Sequence, residues 1–210
     1  WKFLTELPET RPSVLVRRKG SASAQDRVAS LLRKPIFAEP VAAAGGVPAL
    51  LERVEVIEGD LPGVPDLPAD LDVLVHCAGD VSFDPPIDQA FRTNVVGTQR
   101  LLERMLAAVR SAERAPDSVP HYVHISTAYT AGRRRGAIPE GPQEHSVDYR
   151  VETEAGLRMR EQVEAESRTP ERLAALRKKA EREHRRAGYL ATAADTERRR
   201  LEWVEAELVK

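Results

Sequence analysis

The 210 residues suit one α/β domain, or one domain with an appendage, and a 41% hydrophobic content can supply a packed core. A net charge of −1 leaves no global field to draw nucleic acid or an anionic membrane, and no apolar run is long enough to span a bilayer. The single cysteine, Cys77, excludes an internal disulfide and fits a reducing, cytoplasmic compartment.

Trp1 stands where a starting methionine would, directly before the helix-like KFLTEL, so the natural start is expected upstream. Residues 1–7 read as the last turns of a helix stopped near Pro8. Ser13 to Arg17 is a short β-branched run and the first expected strand. A basic loop, RRKGSAS, follows, and Gln25 to Arg33 has Val28, Leu31 and Leu32 at helical spacing. Pro35 and Pro40 are expected to break the next stretch, with AAAGG as a flexible joint. Val54 to Ile57 is the second strand, ended by Glu58-Gly59-Asp60, and Pro62, Pro65 and Pro68 make an irregular loop. Leu71 to His76 is the third strand, Ile87 to Ala108 a long helix, and His121 to Ser126 the fourth strand. Strands alternating with helices imply right-handed crossovers and a parallel sheet.

After about residue 148 the composition changes. Residues 149–210 are rich in Arg, Glu, Lys and Ala, without a strand-like run. Thr169 and Pro170 make a helix start, Gly188 reads as a helix stop, and Leu201, Val204 and Leu208 share one face of a last helix. Two or three amphipathic helices are expected, resting on the domain by a narrow apolar seam, with a partner-binding or membrane-surface role as the alternative. The composition therefore divides the chain into an α/β part over 1–148 and a charged helical stretch over 149–210.

Several strand ends carry residues suited to chemistry. Arg17, Arg18 and Lys19 follow the first strand, where arginine favours a ribose 2′-phosphate and points to NADPH; an ordinary solvated loop is the plainer reading. Asp60 could accept a hydrogen bond from an adenine amino group, or cap its own turn. Ala78 and Gly79 are small enough for backbone to approach a flat ring. Asn94 is a poor residue for a helix interior and is better explained if it holds backbone or water near the site. Gly97 is costly in the same helix and is expected to allow close packing. Ser126 and Thr127 offer hydroxyls that could bind a substrate carbonyl oxygen, or merely cap the strand end. Cys77 reads as a buried small filler, and His76 and His124 as sheet packing. No His/Cys/Asp/Glu cluster has zinc-like spacing, so no metal is expected.

Taken together, His76 to Asp84, Asn94 to Thr98 and Ile125 to Tyr129, with LVRRKG before a helix ending near Pro35-Ile36-Phe37, resemble the fatty acyl-CoA reductases of the extended short-chain dehydrogenase/reductase superfamily, kin of the reductase domains of carboxylic acid reductases. The resemblance covers roughly residues 1–145, and more loosely a variable insertion over 149–210. It implies an α/β fold, an incomplete Rossmann-type doubly wound parallel sheet followed by a helical insertion. It implies an NADPH-dependent reduction of a long-chain acyl-CoA thioester to aldehyde, and in some members to alcohol. By position, Thr127, with Ser126 as its neighbour and alternative, matches the family's carbonyl-binding hydroxyl. Arg17, with Arg18 beside it, matches the 2′-phosphate contact, Asp60 the adenine contact, Ala78 and Gly79 the segment against the cofactor, and Asn94 the structural asparagine.

Two family motifs are not in the sequence. There is no G-x-x-G-x-x-G to cradle a pyrophosphate, and Tyr122, Tyr129, Tyr149 and Tyr189 have no lysine four residues on; Tyr129 has Arg133 there. The chain is therefore expected to be an internal, separately inactive piece of a reductase that lacks the sheet's first strand. Another extended-family enzyme, such as a nucleotide-sugar epimerase or hydroxysteroid dehydrogenase, and a non-catalytic interaction protein are the competing readings. Peripheral membrane contact and oligomeric state stay open.

Overall fold

The computed structural model describes residues 1–111, 118–132, 134–142, 145–184 and 188–209. Two compact units emerge: residues 1–72 with 100–120, and residues 73–99 with 121–210.

In the first unit, α1 (Lys2–Thr5) precedes β1 (Ser13–Val16), whose β-branched residues suit a strand. β1 pairs in parallel with β2 (Glu55–Glu58), in the register Ser13 to Glu55 through Val16 to Glu58. Between them run α2 (Ala24–Leu32), α3 (Ala38–Ala44) and α4 (Val47–Glu52). Helix α2 starts on a capping box: the Ser23 hydroxyl accepts from the Asp26 amide, and the Asp26 carboxylate accepts from the Ser23 amide. Its Ala24, Val28 and Leu32 fall on one face and are buried. Leu4, Val28, Leu32, Leu50 and Val54 form the core, lined by Val14, Val16 and Val56 of the strands.

The proline-broken stretch is more regular than the sequence implies. Pro35 opens a single 3-10 turn, Pro40 is the third residue of α3, and Pro48 the second of α4. The first four amides of a helix have no partner within it, so proline costs little there. Gly45-Gly46 is a tight corner and no flexible joint. Gly45 has φ +87°, and the Gly45 and Gly46 amides donate to the carbonyls of Ala42 and Val41.

In the second unit, β3 (Val73–His76) pairs in parallel with β4 (His121–His124), in the register Val73 to His121 through His76 to His124. The strand is two residues shorter at its start than the apolar run Leu71 to His76. The mixed α/β class and parallel pairing agree with an incomplete Rossmann-type fold.

The long helix is α5 (Ile87–Ala90), a π-helical segment (Phe91–Val96) and α6 (Gly97–Ser111), in unbroken succession. Gly97 is buried. Cys77 is exposed and not a buried filler. Side chains alternate along β3: Leu74 and His76 are buried, while Val73 and Val75 lie about half exposed, and Cys77 continues their side.

Among the described residues three helices follow: α7 (Tyr149–Ser167), α8 (Pro170–Glu183) and α9 (Gly188–Leu208). Thr169 caps α8, its hydroxyl accepting from the Arg172 amide, with Pro170 at the first position. Gly188 does not stop a helix. Helix α8 ends at Glu183, and Gly188, with φ +82°, opens α9. The buried stripe of α9 is Arg200, Val204 and Leu208, while Leu201 is half exposed. A spacing of four residues keeps that stripe on one face, which Leu201 leaves. Arg200 is satisfied by Glu164 (2.7 Å), Ser167 (2.8 Å) and both carboxylate oxygens of Glu197. The helical layer thus closes on a buried ion network as well as on Leu176, Ala180 and Val204.

Candidate functional site

The expected site residues fall in two groups, one in each unit. In the first, the carboxyl ends of the paired strands β1 and β2 bring Arg17, Arg18 and Asp60 together. Arg17 Nη1 lies 4.0 Å from Asp60 Oδ2, with both side chains more than half exposed. Arg18 Nε lies 3.5 Å from Glu58 Oε1. The other oxygen of Glu58 accepts from the Ala24 amide at 3.0 Å, so that carboxylate also supports the start of α2. The Arg17 carbonyl accepts from the Arg27 guanidinium, which steadies the basic loop.

Asp60 does cap its own turn. Its Oδ1 accepts from the Leu61 amide at 2.8 Å, and its carbonyl accepts from the Gly63 amide at 3.0 Å. The other carboxylate oxygen faces Arg17. Gly59 is required here: a Cβ would come within 2.6 Å of the Pro65 ring and 3.0 Å of Leu15. The turn after β2 is therefore folded hard against its own proline loop. Nearby, an open cleft of about 340 Å³ is lined by Pro62, Gly63, Val64, Arg100, Glu103, Arg104 and Ala107. Arg100 donates to the Pro62 carbonyl and Arg104 to Asp66, so both guanidinium groups are already engaged.

In the second unit, Ala78 and Gly79 follow β3 in a loop fixed by Asn94. Asn94 Oδ1 accepts from the Asp80 amide at 2.7 Å, and its Nδ2 donates to the Asp80 carbonyl at 3.0 Å. This pair of hydrogen bonds to one residue's backbone is the reason for an asparagine within a helical run. The Asp80 carboxylate accepts from the Ser82 amide at 2.9 Å, which tightens the same loop. A Cβ on Gly79 would lie 3.0 Å from Asn94 Oδ1, so a bare backbone suits that position.

The network runs further, to His76. Thr98 Oγ1 donates to the Asn94 carbonyl at 2.8 Å and stands 2.9 Å from His76 Nε2. A hydroxyl has one proton, so while Thr98 donates to the Asn94 carbonyl, Nε2 can serve toward Thr98 as a donor when it carries the ring proton. Burial of His76 lowers its pKa, and the neighbouring His124 adds to the effect. The two rings lie 5.0 Å apart, with Tyr122 stacked on His124. His76 is thus a packed, polar member of the sheet, as the sequence implies. Its bond to Thr98 was not legible there, although Thr98 closes the Asn94-to-Thr98 motif.

Ser126 and Thr127 lie just beyond β4, both exposed. The Tyr129 amide donates to Thr127 Oγ1 at 3.2 Å. An acceptor role toward that amide leaves the hydroxyl proton available to another oxygen. Val81 and Phe83 are each 91% exposed on the loop beyond Asp80. Glu183, His184 and Asp195 converge in the helical layer, but Asp195 is held by Arg198 and Arg199, and Glu183 by Arg199. Those guanidinium groups supply the positive charge a metal would bring. Among the described residues no helix is long and apolar enough to cross a membrane.

Comparison with known proteins gives this geometry a family. Residues 2–199 match the NAD-binding family described as male sterility protein. A Drosophila melanogaster protein provisionally named fatty acyl-CoA reductase CG8303 is 32% identical over 130 residues, 60% of this chain and 22% of that protein. Fatty acyl-CoA reductase 2 of Mus musculus is 29% identical over 126 residues, 56% of this chain and 22% of the relative. The human protein of the same name is 28% identical over the same length. The chain spans about a fifth of the length of the curated relatives it matches. No solved structure matches it significantly. With the strand-end residues, the Asn94 network and a match over nearly all its length, the chain belongs to the male sterility family of NAD-binding proteins, the family of the fatty acyl-CoA reductases.

Proposed function

We propose that this chain forms the adenosine-side and carbonyl-side parts of an NADPH-dependent reductase of long-chain acyl-CoA, acting in the cytoplasm. The observation that carries the reading is the pairing of Arg17 with Asp60 at the carboxyl ends of two parallel strands. A guanidinium at that position suits a ribose 2′-phosphate, because its planar fork matches phosphate oxygens. Asp60 Oδ2, which is 4.0 Å from Arg17 Nη1 and outside the capping bond of Oδ1, is the oxygen an adenine amino group could donate to.

The residues present fit one half of a dinucleotide. Gly79 keeps backbone bare beside Asn94, and Arg17 and Arg18 supply charge for phosphate. The glycine-rich turn for the pyrophosphate and the tyrosine–lysine pair are not in this sequence, so the proposal concerns the intact protein, and the chain by itself is inactive. A bound nicotinamide would supply hydride for reduction of the thioester carbonyl. Thr127, with its proton free, binds and orients the carbonyl oxygen, and Ser126 stands beside it. Asn94 holds the Ala78–Asp80 backbone in one position, which limits reorganisation when the site fills. Loss of CoA as a thiol would then give the aldehyde.

The test is made in the intact protein. Arg17→Ala should weaken NADPH about tenfold to a hundredfold, the scale of a charge-assisted bond, and leave NADH almost unchanged. Equal loss for both nucleotides would end the 2′-phosphate assignment. Thr127→Ala with Ser126→Ala should abolish acyl-CoA-dependent oxidation of NADPH; an undiminished rate would remove both hydroxyls from the mechanism.

A further inference from the structure

Helix α7 does not rest on α5 by an apolar seam alone. Asp88, on α5, is 1% exposed, and its Oδ2 accepts from Arg160 Nε of α7 at 2.6 Å. Arg160 also donates through Nη1 and Nη2 to Glu205 of α9, at 3.0 and 3.1 Å. One guanidinium therefore ties together three helices separated by 72 and 45 residues of chain. Both carboxylates, Asp88 first, raise the pKa of Arg160, so it stays charged throughout the working range. Arg92, 3.9 Å from the same Asp88 oxygen, sits on the π-helical segment.

Four residues before Arg160, α7 touches that segment directly. A Cβ on Gly156 would fall 2.4 Å from Phe91 Cδ2, so the two helices approach as closely as a glycine permits. Phe91 is three residues, about one turn, from Asn94. Asn94 in turn holds both backbone groups of Asp80. Contacts thus run without a gap from the helical insertion to the loop after β3.

From this chain of contacts we propose that Arg160 is a positioning residue for that loop. By clamping Asp88 it fixes the phase of the π segment, and so the place of Asn94 and of Gly79-Asp80. The insertion is a brace for the site and not a solvated appendage. The coupling is a property of the fold; its consequence for cofactor binding rests on the reductase reading above.

Hydrogen exchange of the intact protein separates the two. Arg160→Met should speed exchange of the Asp80 and Ser82 amides about tenfold, which corresponds to about 1.4 kcal/mol of local opening. Arg200→Met removes a buried cation of the same helical layer without contact to α5, and should leave those two amides unchanged. Arg160→Lys keeps the charge near Asp88 but loses the fork to Glu205, and should fall between wild type and Arg160→Met; it also serves if the Met variant folds poorly. In NADPH kinetics Arg160→Met should raise KM several-fold with little change in kcat. Unchanged Asp80 exchange in Arg160→Met, or an equal rise in Arg200→Met, would overturn the coupling. A wild-type protein that takes no NADPH would sink the cofactor reading alone, since the exchange comparison uses no ligand.

Discussion

The contact between Gly156 and Phe91 predicts a reversal of sign. In a helix interior, glycine to alanine ordinarily stabilises by about 1 kcal/mol, because alanine loses less backbone entropy. Here the added Cβ would stand 2.4 Å from Phe91 Cδ2, 2.8 Å from Cε2 and 3.3 Å from Cγ. These are atoms of a rigid ring, not the end of a mobile chain, and Phe91 is packed between its own helix and α7. Overpacking of this kind costs about 1–3 kcal/mol. Gly156→Ala should therefore come out destabilising, by up to about 2 kcal/mol after the helical gain is set against the clash. In a Phe91→Ala background the ring is gone, and the same change should stabilise by about 1 kcal/mol, the bare propensity term. The assay is urea unfolding of the four proteins of this cycle, followed by circular dichroism, with the coupling taken as the difference of differences. If Gly156→Ala shifts stability in the same direction in both backgrounds, the close approach of α7 to the π segment is not what glycine is there for.

Two further outcomes follow from the same geometry. Because burial lowers the pKa of His76 in the fold, the unfolded chain binds the extra proton first. Its contribution is complete above the ordinary histidine value of about 6.5 and is lost as pH falls from there toward the lower folded value. His76→Gln, which can still donate to Thr98, should flatten stability between pH 5 and 7 in parallel urea titrations, and an unchanged slope would assign that dependence to other groups. Gly59→Ala should lower stability by about 1–3 kcal/mol in thermal melts, through contact with the Pro65 ring and Leu15, and a neutral effect would show that the turn after β2 can move.

Much of this was readable from the residues. The β-branched runs gave the strands, and the apolar spacing gave Val28 and Leu32 of α2 and Val204 and Leu208 of α9 as buried, while Leu31 and Leu201, expected with them, lie nearly half exposed. The anomaly of Asn94 within a helix pointed to a task for its side chain, and the hydrogen bonds to Asp80 supply one. Prolines misled at 35 and 40, since a helix tolerates proline in its first turn and the sequence does not announce which turn is first. Cys77 misled because strand parity, not residue type, decides its side. The Asp88–Arg160–Glu205 junction was out of reach, as it depends on helices far apart in the chain and on charges indistinguishable from those of a solvated face. Arg200 was missed for the same reason: an arginine at the centre of a helical layer looks, in sequence, like any other in a charged helix.

The π segment carries one more consequence, for length. Asp88 before it faces Arg160, and Thr98 after it faces His76, so two anchors on one continuous helix are set by the number of residues between them. Each residue advances the direction of a side chain by about 100° in an α-helix, and by less in the wider π turn. Removing a single residue from 91–96 therefore either re-aims Thr98 relative to Asp88 or closes the wide turn to α geometry. A helix here can change its letters far more readily than its count.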